Sequence, residues 1–199
     1  MEEIFAKKEE GQAVVEEKKE KKEKVEKKPK FLHILDQDQV EIKILNEGDV
    51  EDAVKVLKQC SFEVTDNEVR KIISYGMSFG CYVNRVLIGV GLGWPTSYDA
   101  EKRRFVGESY NAIYLEEPAV LLMYEGRGIR RILVRERENA ALARNYRYTV
   151  AFISDDVPEG SITDYIKESG TQMEKLYLSE NYEFFRTERG VLAVKRVGG

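Results

Sequence analysis

The chain has 199 residues, of which 42% are apolar and 34% charged, with a formal net charge of −4. It holds no run of roughly 18 apolar residues and no apolar core behind its charged start, so neither a membrane helix nor a secretory signal is expected and the chain reads as cytoplasmic. Its single histidine, His33, and two distant cysteines, Cys60 and Cys81, offer no ligand cluster for zinc or an iron–sulfur centre, which leaves two reduced, buried thiols as the expectation.

The charge is unevenly placed. Residues 1–30 carry ten lysines and nine glutamates with few apolar residues between them. Such a segment cannot bury enough surface to offset its ordering entropy, so it reads as a solvated tail or a fraying helix held by Glu/Lys pairs at i,i+4. Docking on a protein partner is the functional alternative; near-balanced charge is weak support for nucleic acid, which rewards net positive charge. Residues 31–199 remain for one domain of ordinary size and set no oligomeric state.

Val40 to Ile44 alternates and predicts a strand. Asp49 precedes Val50, Ala53, Val54 and Leu57 as the N-cap of an amphipathic helix, and Thr65 with Glu68 forms a capping box ahead of Val69, Ile72 and Ile73. The runs MSFGCYV and VLIGVGLGW, joined by Asn84-Arg85, predict an antiparallel hairpin that Pro95 stops. Residues 96–110 are polar and read as a loop near a substrate. The run NAIYLEEPAVLLM is a strand with a break or bulge at Pro118. A helix follows Gly128, with Ile129, Ile132, Leu133 and Ala140 on or near one face as far as about Arg144, then the strand YTVAFI. Ser161 with Asp164, and Thr171 with Glu174, open two more helices around a stop at Gly170, and YEFFRTERGVLAVKRV folds back on itself at Arg189-Gly190. The order predicts a mixed sheet covered by helices.

The stretch YEGRGIRRIL, Tyr124 to Leu133, places two glycines at a strand-to-helix junction. A helix N-terminus offers unpaired amides and the positive end of its dipole, and Gly126 and Gly128 let backbone approach an anion closely. The residues alone leave a pyrophosphate-binding turn and an ordinary glycine-rich junction both open. The stretch has neither the Lys-Ser/Thr ending of a P-loop nor the third glycine of a dinucleotide fingerprint.

Together with the order of elements, this loop resembles that of the GNAT superfamily of N-acetyltransferases, over about residues 40–197. The resemblance implies an α/β (α+β) fold with a mixed, mostly antiparallel central sheet flanked by helices, acyl-CoA N-acyltransferase-like. It also implies acetyl-CoA as the cofactor and an amine-bearing protein or small molecule as acceptor. The family's signature is Gln/Arg-x-x-Gly-x-Gly/Ala; here Glu125 stands first, Gly128 keeps the central glycine and Arg130 takes the last position. Glu125 would repel phosphate, and Arg130 either blocks the cofactor's approach or supplies charge, as Arg127 and Arg131 would. The resemblance assigns the cofactor to the strand backbone at Leu121, Leu122, Met123 and Tyr124 and to the loop residues Gly126, Arg127, Gly128, Ile129, Arg130 and Arg131. The family's Tyr-x-x-x-Gly-Phe reads here as Tyr177 to Tyr182, with Asn181 for the glycine and Tyr182 a mild aromatic exchange. Tyr177 is then the acid for the leaving thiolate, or else a packing residue. Glu116 and Glu117, on opposite faces of a strand, are candidate bases or solvated acids.

Between Tyr124 and Val150 lie seven arginines and three glutamates. They suit coenzyme A phosphates or nucleic acid, although helical spacing spreads them over several faces and no aromatic–basic interleaving supports base stacking. Acidic Asp99, Glu101, Asp155, Asp156 and Glu159 would receive a cationic acceptor in a cleft walled by residues 61–76, 96–110 and 155–170. The rival function, motivated by Glu125, Arg130 and the apolar AVLLMY, is a non-catalytic domain of the same fold that serves as an interaction or scaffold module.

Overall fold

The computed structural model describes residues 40–107 and 109–198; the lysine- and glutamate-rich segment and His33 lie outside the described residues. Strand β1 (Val40–Ile44) pairs antiparallel with β2 (Phe79–Val83), which pairs with β3 (Val86–Gly91). Asn84 and Arg85 turn the hairpin with φ of 50° and 70°, the left-handed pair that matches strand twist.

Two helices, α1 (Val50–Gln59) and α2 (Asp66–Ser74), bridge β1 and β2. The cap of the first differs from expectation. Asn46, not Asp49, starts the helical segment: its side chain accepts from the Gly48 amide while Asp49 accepts from the Asn46 amide, a capping box around a short 3₁₀ turn. The other Asp49 oxygen accepts from the Tyr82 hydroxyl at 2.7 Å and so ties the turn to β2. Thr65 and Glu68 cap α2 as their spacing predicts.

Past Leu92 the chain continues as β4 (Gly93–Thr96) but changes sheets. The first sheet runs β1-β2-β3 and then β8 (Ala119–Val120), and the second runs β10 (Glu183–Thr187), β11 (Gly190–Arg196), β9 (Tyr148–Ser154), β7 (Ala112–Leu115) and β4. Pro95 lies within β4 instead of ending the run, because β4 is an edge strand where a missing amide costs no ladder bond. The segment expected to be loop carries a small ribbon, β5 (Tyr98–Asp99) against β6 (Arg104–Phe105). The break expected at Pro118 is real: β7 (Ala112–Leu115) joins the second sheet, and β8 (Ala119–Val120) joins the first. β7 runs parallel to β9 (Tyr148–Ser154) only as far as Tyr114, and there the two sheets part. All other strand pairings among the described residues are antiparallel.

Helix α3 (Ile129–Ala143) crosses between β8 and β9, with Ile129, Leu133, Val134 and Ala141 buried and Ile132 and Ala140 half-buried. Helices α4 (Ile162–Ser169) and α5 (Gln172–Ser179) follow, then β10 (Glu183–Thr187) and β11 (Gly190–Arg196). Their turn is Glu188-Arg189, one residue earlier than expected, because Thr187 already pairs with Gly190.

At the parting of the sheets sits Arg137 of α3, with no exposed surface. Its Nη1 donates to the carbonyls of Leu92 at 2.5 Å and Glu116 at 2.7 Å, and its Nε to that of Leu133 at 2.9 Å. Burial pulls against its charge, and these carbonyls replace the lost water. Its space comes from glycines. A Cβ on Gly91 would lie 3.1 Å from Arg137 Nε, and one on Gly93 3.3 Å from Arg137 Cδ. Arg137→Met keeps the side chain's bulk but takes the Arg137 donor from the Glu116 carbonyl and leaves the Leu92 carbonyl with the Glu116 amide alone. Chemical denaturation is expected to show a loss of about 2–4 kcal/mol with cooperativity retained.

Candidate functional site

The loop before α3 is built from two left-handed glycines, Gly126 at φ 72° and Gly128 at φ 84°. Gly128 is the N-cap of α3, and no side chain caps that end. The first-turn amides therefore face outward with Arg130 and Arg131 as the only charged residues beside them. They open on a groove of about 370 Å³ whose walls include Val120, Gly126, Gly128, Ile129, Met173 and Leu176. Its charged lining residues are Arg130, Arg131 and Lys175 against Glu125 alone, a balance that favours an anion.

The two departures from the family's loop satisfy each other. Arg130 Nη2 lies 2.6 Å from Glu125 Oε1, and Nε donates to both oxygens of the same carboxylate. Arg130 Nη1 reaches Glu117 at 2.9 Å and the Pro118 carbonyl at 2.7 Å. Glu125 thus brings no unopposed charge to the groove, and Glu117 is held on this side as a partner of Arg130. Arg127 lies over the Tyr124 ring, while Arg131 and Arg135 both grip the buried Glu180 at 2.9 Å. Arg131 also donates to Ser179 Oγ, so these contacts fasten α3 to the end of α5. The local excess of arginine is largely consumed inside the fold.

The apolar residues before the loop are not extended as expected. The strand ends at Val120, and Leu122–Tyr124 form a 3₁₀ turn in which Tyr124 N donates to Leu121 O and Glu125 N to Leu122 O. Leu122 and Met123 project outward, 88% and 72% exposed. Backbone free to meet an extended ligand is thus confined to the short β8 edge, where Val120 lines the groove. Cys60 donates its thiol to the Val120 carbonyl at 3.3 Å, and Cys81 is buried with its thiol pushed up to about 11 by burial.

Glu116 and Glu117 occupy the break between β7 and β8, so their separation comes from the break and not from strand alternation. Glu116 is half-buried on the opposite side, lining a cavity with Trp94, Thr96, Phe105, Tyr114, Phe152 and Arg189. Burial raises its pKa, and repulsion from Glu117 adds to the rise against the Glu117 amide and Arg137.

Tyr177 is 2% exposed and packs edge-on against Tyr182 at 4.8 Å between ring centres. Its hydroxyl is buried without a hydrogen-bond partner, as is Nη2 of Arg137. Burial holds its proton far above the usual tyrosine range, and Arg137, Tyr114, Glu117 and Glu116 are the other groups whose charges it feels. Helix α5 is stopped as the Asn181 reading requires: Asn181 takes φ 63°, Tyr182 N donates to Tyr177 O, and Asn181 N donates to Leu178 O. Tyr182 is more than an aromatic exchange. Its hydroxyl donates to Glu138 at 2.8 Å and lies 3.0 Å from Thr149 Oγ1, and Lys195 closes the set on Glu138 at 2.7 Å.

Sequence reasoning missed Arg137, because an arginine among charged neighbours on a helix reads as solvent-facing. Gly91 and Gly93, set within an otherwise apolar strand, were the signal that something bulky fills the space beside it.

No family model matches the sequence, and no curated protein does. Solved structures do. The loading GNATL domain of CurA from Lyngbya majuscula superposes with a TM-score of 0.61 at 13% identity, over 79% of this chain and 98% of that one. The ribosomal-protein-S18-alanine N-acetyltransferase of Escherichia coli gives 0.58 at 13% identity, over 80% and 95%. The PaiA N-acetyltransferase of Thermoplasma acidophilum, solved with coenzyme A, gives 0.57 at 11% identity, over 79% and 98%. The fold is that of the acyl-CoA N-acyltransferases, as the order of elements and the loop imply.

Because the Tyr177 hydroxyl is buried without a partner, Tyr177→Phe is expected to leave thermal stability unchanged or raise it by about 1 kcal/mol. A drop of several degrees in the melting temperature would mean that the hydroxyl is bonded in the folded protein.

Proposed function

We propose that the protein is an N-acetyltransferase that moves an acetyl group from acetyl-CoA to a primary amine of a protein or small molecule, acting in the cytoplasm. One observation carries the reading: the break between β7 and β8 has an uncapped glycine groove beside β8 and a half-buried carboxylate, Glu116, facing a second cavity.

The residues suit the cofactor. Amides at the start of α3, with Arg130, Arg131 and Lys175, would hold its pyrophosphate, and the β8 edge at Ala119–Val120 would take the pantetheine arm. When bound, acetyl-CoA supplies an acetyl group already activated as a thioester. Glu116 acts as the base, removing the proton an amine must lose before it can attack; burial makes its carboxylate a better proton acceptor near neutral pH. Tyr177 keeps its proton throughout the physiological range and delivers it to the leaving sulfur. Glu117 positions Arg130 and takes no proton.

Three measurements test this. Calorimetry is expected to show coenzyme A binding to the wild-type protein; none at millimolar ligand would leave the non-catalytic interaction domain as the better reading. Arg130→Gly alone exposes the Glu125 charge and is expected to weaken binding roughly 3- to 10-fold, whereas Glu125→Gln with Arg130→Gly recovers only part of it, since the Arg130 contact stays lost. Equal affinity in all three proteins would show that the pair does not face the cofactor.

With an acceptor in hand, Tyr177→Phe is expected to lower kcat about 10²-fold while coenzyme A affinity holds. Unchanged kcat, with chemistry rate-limiting, would remove Tyr177 from the mechanism.

Glu116 must be ionised to act, and its pKa is raised. The rate is therefore expected to climb with pH through a value above the ordinary glutamate range, and Glu116→Gln should abolish that limb along with about 10²-fold of the rate. An identical pH profile in the variant would assign the proton transfer elsewhere.

A further inference from the structure

The cavity beside Glu116 does not end there. It holds about 340 Å³ and shares Phe105, Phe152 and Arg189 with a larger one of about 550 Å³. The larger cavity gathers Lys102, Arg103 and Arg104 from the β5–β6 ribbon with Arg186 and Arg189 from the β10–β11 hairpin, against one carboxylate, Glu188. Arg186 is engaged by the carbonyls of Pro158 and Gly160, and Lys102 lies 3.7 Å from Asp99. Among the described residues, no carboxylate lies within ion-pair distance of Arg103, Arg104 or Arg189. Arg103 lies over the Phe185 ring and Arg189 over the Phe152 ring, which fixes both guanidinium groups at the wall.

An aromatic floor joins the two ends. Trp94 stacks on Tyr114 at 4.5 Å between centres, and Tyr114, Phe105 and Phe152 meet one another within 6.5 Å. One end of the cleft is thus a carboxylate suited to an amine, the middle is apolar and lined by aromatic rings tilted to one another, and the far end is strongly cationic. The acidic residues expected to draw in a cationic acceptor are elsewhere. Asp99, Glu101, Asp155, Asp156 and Glu159 line neither cavity, and of the three segments expected to wall the cleft only residues 96–105 do so.

We propose that the acceptor is a small amine that carries an anionic group, phosphate or carboxylate, on the far side of an apolar body. This rests on the acetyl-transfer reading and adds its substrate class. The amine meets Glu116, the apolar body lies on the Trp94–Tyr114–Phe105–Phe152 floor, and Arg103, Arg104 and Arg189 hold the anion. Guanidinium groups suit an oxyanion because two parallel N–H donors match its geometry. A polyamine or a lysine-rich peptide would meet repulsion at that end.

Titration calorimetry with tyramine and tyramine phosphate as probes tests this, on protein saturated with coenzyme A so that the glycine groove is filled. The phosphate is expected to bind at least about tenfold more tightly than tyramine, with a preference that shrinks as salt rises. That preference should vanish in the Arg104→Glu, Arg189→Glu double variant, both sites being exposed, and Arg103→Gln should reduce it on its own. Equal affinity for the two probes, or a preference that survives the double substitution, would overturn the proposal. So would a short RNA duplex that outcompetes tyramine phosphate at the same arginines, which would reassign the cleft to nucleic acid. The preceding coenzyme A titration reports on the groove alone. Its failure would sink the acetyl-transfer reading, while the two probes would still read the cleft on the free protein.

Discussion

The buried guanidinium of Arg137 stands where the two sheets of this fold separate, and three backbone carbonyls hold its Nη1 and Nε while Nη2 has no partner. A buried cation is tolerable only if acceptors surround it, and here they are carbonyls of chain segments that have just left one sheet or are about to join the other. Leu92 marks the switch from β3 to β4, and Glu116 the interruption between β7 and β8. Regular strand pairing is interrupted at both, although the Glu116 amide still donates to the Leu92 carbonyl. Through the Glu116 carbonyl the arginine ties down the backbone that carries the candidate base.

The groove on the other side of the split shows how a loop can differ from the residue pattern it resembles and still balance its charges. Glu125 taken alone argues against an anion site, and Arg130 taken alone argues for a blocked one. Their mutual ion pair cancels most of both objections, and it moves the cation from the start of the loop to the first turn of α3. The Arg130 contact with the Pro118 carbonyl is the part that competes with a ligand for the β8 edge. Charge pairing and steric access are therefore separable properties of one side chain.

Local chemistry was legible in the sequence wherever it was written in neighbouring residues. The capping boxes at Thr65 and Thr171, the Asn84-Arg85 turn, the break at Pro118 and the left-handed Asn181 each follow from groups within six positions of one another. The glycine loop was visible as a strand-to-helix junction, whereas Tyr177 was singled out only by a resemblance in motif. What escaped was decided by tertiary partners. The stretch Leu121 to Tyr124 reads as strand by apolar content, but its backbone closes a 3₁₀ turn and its side chains project outward. Asp49 has the right type and spacing for an N-cap, yet Asn46 and Tyr82 take its carboxylate. The cationic end of the cleft joins arginines more than eighty positions apart, a convergence that no window along the chain can display.

The hydroxyl of Tyr182 carries an evolutionary consequence. It is the member of a buried polar set that joins α3, β9 and β11, through Glu138, Thr149 and Lys195. Replacing it with phenylalanine would take one donor from Glu138 and strand the Thr149 hydroxyl in the core. The substitution is therefore epistatic: its cost depends on what occupies three other positions, none adjacent to it in the chain. A lineage could reach phenylalanine smoothly only by first changing Glu138 and Thr149 to residues that make no demand on a hydroxyl. Until then the four positions drift together or not at all, and tyrosine is locked in by its neighbours with no part in the chemistry.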